Sequence, residues 1–130
     1  MIVDSSVIIG ILRDEPDASA MSSALQQASV CRMSAVTYVE AAVVTDGNRN
    51  PVLSRRYDDL LQDLRMQVES VTLRQAEIAR QAYQDFGKGR HKAGLNFGDC
   101  FAYALAKDLD EPLLFKGDDF RHTDVEIAGF

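Results

Sequence analysis

Residues 96–120 read NFGDCFAYALAKDLDEPLLFKGDDF, and this stretch contains a helix that is followed by a buried strand. Asn96 is a good N-cap, because its side chain can accept a hydrogen bond from the first helical turn. The apolar spacing that follows predicts a helix from Phe97 to Ala106. Leu113 to Phe115 is a short apolar run between a proline and a glycine, which is typical of a strand. The stretch therefore predicts part of a strand–helix–strand unit in a parallel sheet.

The same alternation of strands and helices continues along the rest of the chain. Four other apolar runs predict strands, the last of them a short edge strand: Ile2–Val3, Val30–Met33, Val68–Val71 and Val125–Ile127. Candidate helix starts lie between them, at Asp17, Asn50-Pro51 and the capping-box pattern of residues 72–75. This alternation favours an α/β fold, with a parallel sheet and helices on both faces. No linker divides the chain, so we expect a single domain, residues 1–130.

The composition argues against several classes of protein. The chain has 130 residues and a formal net charge of −6, which does not suggest a general nucleic-acid binder. Its apolar runs are too short to span a bilayer, and the N-terminus lacks the pattern of a signal peptide. Cys31 and Cys100 lie in apolar segments without metal-ligand spacing, which favours buried reduced thiols. We therefore expect a cytoplasmic protein that does not contact a membrane.

Four acidic positions interrupt apolar segments: Asp4, Glu40, Asp99 and the pair Asp118-Asp119. Two of them follow strands and two lie early in helices, so all four can meet beyond the carboxyl ends of the strands, where such sheets bind ligands. Each also has a simpler explanation, as a helix cap, a solvent-facing residue or a turn. A carboxylate beside apolar residues is costly without a partner, and Mg²⁺ or Mn²⁺ would supply one. The pattern thus points to a metal-dependent enzyme that acts on phosphate esters.

A basic run, Lys88-Gly89-Arg90-His91-Lys92, precedes Asp99, and we call residues 88–92 the basic loop. One interpretation is a solvated connection, as for most charged runs. The other is a patch that steers phosphates toward the acidic positions, with Lys88, Arg90, His91 and Lys92 as candidate phosphate contacts. The sequence leaves both interpretations open.

Several segments together resemble the PIN-domain ribonucleases, specifically the VapC toxins of prokaryotic type II toxin–antitoxin pairs. MIVDSS, residues 1–6, matches an opening strand that is followed by an Asp and small hydroxyl residues. Ser34–Ala42 matches a serine-started helix with an inner Glu. The most specific segments are LNFGDCFAYALA and LLFKGDDF, within residues 86–120. The resemblance covers nearly the whole chain and implies a PIN-like three-layer α/β/α fold around a mostly parallel sheet of four or five strands.

The family pattern implies which acids act in catalysis. Its three best-defined acids correspond here to Asp4, Glu40 and Asp99. Many members carry the fourth acid two residues before a final Asp-Phe, but this chain has Gly117 there. Asp119 is therefore the better candidate for the fourth acid, and Asp118 could supply the charge instead.

The chemistry of such a site suggests a role for each group. Asp4 and Asp99 would bind Mg²⁺ or Mn²⁺ directly, while Glu40 and the pair Asp118-Asp119 would hold water or a second ion. The metal would activate a water molecule for attack on the phosphate, without a nucleophilic serine or cysteine. Ser6 resembles a hydroxyl position of the family that orients the first Asp.

The resemblance also implies partners: an RNA substrate, a VapB-like antitoxin over the acidic cleft, and a symmetric homodimer that forms a heterotetramer or larger assembly with the antitoxin. Two alternatives remain open at this point. A phosphoacceptor receiver-like domain would need an Asp at the end of the third strand, where this chain has Val68-Glu69-Ser70-Val71. A non-catalytic PIN-like binding module would keep the fold, but neither metal nor Asp99 would matter for its activity.

Overall fold

The computed structural model describes residues 1–130 of the chain. Its four strands are β1 (Ile2–Val3), β2 (Arg32–Ser34), β3 (Gln67–Glu69) and β4 (Leu113–Leu114). Its six α-helices are α1 (Ser5–Leu12), α2 (Ala18–Gln27), α3 (Ala35–Asp46), α4 (Pro51–Asp63), α5 (Leu73–Phe86) and α6 (Phe97–Leu109). The strands form one parallel sheet in the order β3-β2-β1-β4. The expected α/β class and the parallel sheet are confirmed.

The sheet separates two hydrophobic clusters, one on each face. The chain runs from β1 through β2 to β3 in one direction and then returns to place β4 on the other side of β1, so right-handed crossovers put α1–α4 and α5–α6 on opposite faces. Ile2 and Leu113 pack with α5 and α6, whereas Val3 and Leu114 pack with α1 to α4. Successive residues of a strand point to opposite faces. Strands of only two residues therefore join both halves of the core.

The helix starts follow the predicted capping chemistry with two exceptions. Asn50 accepts a hydrogen bond from the backbone N–H two residues further on, as expected. Asp17 makes no capping hydrogen bond, so that prediction is wrong. Thr72 accepts from the Gln75 N–H at 3.1 Å, but the Gln75 side chain donates to Asp108 on α6 instead of completing the capping box. No helix is long and apolar enough to cross a bilayer.

The strand bounds differ from the predictions because pairing with a neighbour, and not apolarity, decides where a strand begins. The run predicted as Val30–Met33 is observed as β2, the run predicted as Val68–Val71 as β3, and the run predicted as Leu113–Phe115 as the shorter β4. Val125–Ile127 is not a strand, since only one bridge joins Ile127 to Leu113. Arg32 can begin the central strand β2 because it lies 3.0 Å from both Glu69 and Glu111.

Candidate active site

The acidic residues gather beyond the carboxyl ends of β1 and β4, where the order of the strands reverses. Asp4 follows β1, and its backbone N–H donates to the Leu114 carbonyl at 3.0 Å. Its side chain is only 3% exposed. An open α/β sheet forms a crevice at such a reversal point. Asp4 is therefore fixed by the sheet itself at the position where a ligand is expected.

The two carboxylate oxygens of Asp4 have different surroundings. Oδ2 accepts hydrogen bonds from the Ser6 backbone N–H at 3.0 Å and from the Ser6 hydroxyl at 2.6 Å, so Asp4 caps α1. Oδ1 is buried and has no hydrogen-bond partner. Burial raises the pKa of Asp4 above its ordinary value, although the hydrogen bonds from Ser6 oppose this effect. The capping explanation thus accounts for one oxygen and leaves the other unexplained.

Ser6 is in turn held by the segment that follows β4. The Lys116 backbone N–H donates to the Ser6 hydroxyl oxygen at 3.0 Å. Because the Ser6 hydroxyl also donates to Asp4, it links the end of β1 to the end of β4. The structure therefore places Ser6 where it can orient the Asp4 carboxylate.

Glu40 approaches the same edge from α3. The Ser5 hydroxyl donates to Glu40 Oε1 at 2.6 Å. A methyl group at Gly98 would overlap the Glu40 carboxylate, so the missing side chain lets this carboxylate pack against the start of α6. The sequence analysis did not identify Ser5 or Gly98. The adjacent serines after Asp4 were a visible signal for Ser5, but no local pattern connects Gly98 with Glu40.

Asp99 lies in the first turn of α6 and forms a full capping box with Asn96. Asp99 Oδ2 accepts from the Asn96 N–H at 3.0 Å, and the Asn96 side chain accepts from the Asp99 N–H at 2.9 Å. Burial raises the pKa of Asp99 to about 7, against the hydrogen bond from Asn96 and with further contributions from the charges of Asp4, Glu40 and Asp119. Asp99 therefore shares its electrostatic environment with acids from three other segments.

The two candidates for the fourth acid have different environments. Asp119 begins a short 3₁₀ helix, Asp119–His122, and is one of the charges that raise the pKa of Asp99. The Asp118 side chain is 86% exposed and lies 3.7 Å from Arg121. Asp119 is exposed as well, so its contribution to the pKa of Asp99 is the observation that favours it as the fourth acid.

The residues present fit a hard divalent cation. No group of three or more His, Cys, Asp or Glu side chains is already arranged to hold a metal ion. However, Asp4 Oδ1 lacks any hydrogen-bond partner, and burial, followed by the charges of the nearby acids, raises the pKa of Asp99. A site with carboxylate oxygens and no soft ligands suits Mg²⁺ or Mn²⁺, which keep several waters and need few protein ligands.

The basic loop leads directly into α6. The Lys88 N–H donates to the Leu95 carbonyl at 2.9 Å, which closes the loop just before the cap of α6. Lys88, Arg90 and Lys92 are exposed, whereas His91 is half-buried. His91 packs edge-on against Phe86, and its Nδ1 accepts from the Ala93 N–H at 3.0 Å. Three cations of the loop are thus open to solvent, while His91 supports the loop from within.

Comparisons with known proteins agree with this arrangement. The PIN domain family matches residues 1–126. Ribonuclease VapC28 from Mycobacterium tuberculosis is 57% identical over 129 residues, which cover 98% of this chain and 97% of that protein.

Two solved structures have the same fold. The structure of M. tuberculosis VapC20, described as a sarcin–ricin loop cleaving toxin, has a TM-score of 0.75 at 14% identity and covers 98% of this chain and 97% of that one. A toxin–antitoxin complex from Klebsiella pneumoniae has a TM-score of 0.74 at 16% identity, with 98% and 95% covered. The chain belongs to the PIN-domain family and, within it, to the VapC ribonucleases.

Proposed function

We propose that this protein is an endoribonuclease toxin that requires Mg²⁺ or Mn²⁺. The observation that carries the proposal is the meeting of Asp4, Glu40 and Asp99 at one sheet edge, with Asp4 Oδ1 buried and without a partner. A buried acceptor without a hydrogen bond is costly, and a bound cation would remove that cost. The name of the relative VapC28 supports RNA as the substrate.

Each residue has a distinct role in this proposal. Asp4 and Asp99 would bind the metal. Asp4 would do so through Oδ1, which Ser6 does not contact. Glu40, oriented by Ser5, and the acid at Asp119 would accept hydrogen bonds from water in the cleft or help to bind a second ion. When bound, the metal would supply the Lewis acidity that activates water and neutralises charge on the scissile phosphate.

The positive charge of the basic loop could offset the negative charge of the acidic cleft. Lys88, Arg90 and Lys92 are exposed on the segment that ends at the cap of α6. A cleft with this many carboxylates repels RNA unless nearby cations offset the charge. We infer that these three cations contact phosphates of the substrate on either side of the cut.

A second copy of the chain would bring two such loops together. The surface of α3 beside Glu40 exposes Val39 by 55% and Val43 by 65%, and Phe97 at the start of α6 is 74% exposed. These side chains border a groove of about 560 Å³. The apolar run of α3 therefore does not lie wholly in the interior. Contiguous exposed apolar surface is typical of a contact between proteins, which supports the homodimer.

The homodimer can be tested by replacing exposed apolar side chains of α3 with charged ones. The double variant Val39→Glu/Val43→Glu should be monomeric in sedimentation equilibrium, whereas Val52→Glu should not change the mass. Val52 is a matched control because it is 63% exposed on α4, away from this groove. A monomeric wild-type protein, or a dimer that survives the double change, would contradict this surface assignment.

An antitoxin would regulate the same cleft. The toxin–antitoxin complex with this fold supports a VapB-like partner. An arginine from that partner could take the place of the cation, because guanidinium binds carboxylates through paired hydrogen bonds. We expect its helix to contact α1, α2 and α4. Co-expression with the neighbouring upstream reading frame should yield a complex that does not cut RNA; failure to co-purify, or full activity in the complex, would count against it.

The enzymatic proposal is tested with total RNA from the host. Wild-type protein should cut specific RNAs with Mg²⁺ or Mn²⁺ and stop in excess EDTA, while Asp4→Asn and Asp99→Asn should be inactive but folded by circular dichroism. Asp110→Asn is the matched control, because Asp110 ends α6 in a left-handed conformation that asparagine also adopts. Cleavage that persists in EDTA excludes the metal mechanism. RNA binding without cleavage would favour the non-catalytic PIN-like module.

A further inference from the structure

Lys116 joins two segments that flank the acidic cleft. It follows β4, and its amine contacts Glu15 and lies 3.5 Å from Asp17. Both acids belong to the connection between α1 and α2. The lysine and glutamate side chains are each 30% exposed, so water only partly screens this contact. The amine thus ties the segment after β4 to the end of α1.

The backbone of the same residue reaches the cleft. The Lys116 N–H donates to Ser6 Oγ at 3.0 Å, and Ser6 Oγ donates to Asp4 Oδ2 at 2.6 Å. Two hydrogen bonds therefore separate this amide from the carboxylate that fixes the candidate metal site. A displacement of the chain at Lys116 would remove the donor that orients the Ser6 hydroxyl, and would leave the Ser6 backbone N–H as the other group that holds Asp4 Oδ2.

Few other contacts hold this part of the chain. Phe115 and Phe120 are buried against each other, with ring centroids 5.1 Å apart, and they anchor the two ends of the turn. Between them, Gly117 has a φ of +105° and open space at its α-carbon. Asp118 is largely exposed. The Lys116 side chain thus adds a third contact at the start of this turn, beside the buried Phe115 ring and the Lys116 backbone N–H, and joins the turn to the connection between α1 and α2.

We propose that Lys116 is a positioning residue: its contacts with Glu15 and Asp17 hold the backbone amide that orients Ser6 and, through Ser6, the Asp4 carboxylate. This inference rests on the proposed metal-dependent function of the cleft. Ion pairs between partly exposed side chains contribute little to stability. Residues that orient metal ligands, in contrast, often change metal affinity or activity by about 10-fold or more. A positioning role and a merely structural role therefore predict different outcomes.

The test uses the full chain with the variants Lys116→Met, Lys116→Arg and Glu15→Gln. Lys107→Met is the matched control, since Lys107 forms a similar ion pair with Asp124 at 3.1 Å near the far end of α6. Calorimetric titration with Mn²⁺ alone gives metal affinity without relying on activity. RNA cleavage as a function of Mn²⁺ and RNA concentration separates kcat from KM, and thermal melts report on the fold.

We expect Lys116→Met and Glu15→Gln to weaken Mn²⁺ binding and lower kcat by about 10-fold, with RNA KM and melting temperature close to wild type. Lys116→Arg should retain most of the Mn²⁺ affinity and most of the kcat, and Lys107→Met should match wild type in both. Wild-type Mn²⁺ affinity in Lys116→Met would overturn the proposal, as would a change confined to RNA KM, which would make Lys116 a phosphate contact.

The outcome also separates this inference from the proposed function. If wild-type protein binds Mn²⁺ but cuts no RNA, the calorimetric comparison still decides the role of Lys116. If wild-type protein binds no Mn²⁺, the metal-dependent function fails and the positioning role fails with it.

Discussion

Replacing Asp99 with asparagine should stabilise the protein when no metal is bound. The side chain is half-buried at the start of α6, and the pKa of its carboxyl is raised from 3.8 to about 7, first by burial and then by neighbouring acids. Between these two pH values the folded protein binds more protons at Asp99 than the unfolded chain does. The stability of the metal-free protein therefore falls as the pH rises from about 4 to about 7.

The size of the effect follows from the difference between the unfolded and folded pKa values of Asp99. Each pH unit between the folded and unfolded values corresponds to about 1.4 kcal/mol, so ionised Asp99 destabilises the fold by about 4 kcal/mol at most. Water reaches part of the carboxylate and screens its neighbours, so we expect about 1–3 kcal/mol at pH 8. Asparagine keeps an acceptor for the Asn96 N–H, and the cap should survive.

Urea unfolding in EDTA at pH 5 and pH 8 measures this effect. Asp99→Asn should be more stable than wild type at both pH values, and the difference at pH 5 should be roughly a third of that at pH 8, because pH 5 lies about one unit into the interval over which wild type loses stability. Added Mg²⁺ should stabilise wild type and not the variant, because ligands stabilise the state that binds them. The unfolding free energy of Asp110→Asn should match that of wild type at both pH values, with and without Mg²⁺. An Asp99→Asn variant that is less stable than wild type at pH 8 would refute the reasoning.

Three further changes test other parts of the structure. Gly98→Ala would push a methyl group into the Glu40 carboxylate. Because this carboxylate is the mobile end of a side chain, we expect it to be displaced with little change in unfolding free energy, and RNA cleavage to be nearly lost; normal cleavage would show that the position of Glu40 does not matter. Reversing the three exposed cations of the basic loop to Glu should weaken RNA binding and flatten its salt dependence without loss of Mn²⁺ binding; wild-type cleavage at low salt would show that RNA enters elsewhere. The pKa of Asp124 is lowered, chiefly by the hydrogen bond from Tyr103. The ionised carboxylate therefore contributes stability above pH 4 that is lost as the pH falls through its folded pKa. The Asp124 side chain is 61% exposed, so water screens its contacts; Asp124→Asn should lower the melting temperature slightly at pH 7 and by less as the pH falls below 4, and an equal loss at every pH would contradict this.

Local chemistry predicted much of the fold. The caps at Asn50 and Asn96 and the alternation of strands and helices depend on neighbouring residues, so the sequence shows them directly. β3 was harder because it is an edge strand with exposed Gln67 and Val68, and its limits follow from its pairing with β2. The sequence does not show that α3 exposes Val39 and Val43, since a core face and an exposed apolar face share the same composition.

The candidate site shows the same division between local and distant contacts. Asp4 and Asp99 stand out as candidates because each sits beside a strand or cap signal. The serine pair after Asp4 gave a signal for Ser5, but Gly98 and Lys116 gave none, because their contacts with Glu40 and Ser6 span 58 and 110 positions of the chain. Such contacts depend on how helices from opposite faces of the sheet meet at its edge, which no local pattern contains.

The crowded carboxylates explain why metal, proton and protein partner should compete for one place. Asp99 sits among acids that disfavour its charge, so a positive group that enters the cleft gains the energy otherwise stored as repulsion. In the proposed function, a divalent cation would supply two charges and bind Asp4 Oδ1, the oxygen that the fold leaves without a partner. A proton would neutralise only one charge, and a partner's arginine would neutralise one while blocking access to RNA. The repulsion that would favour metal binding would therefore also favour an inhibitor that carries arginine.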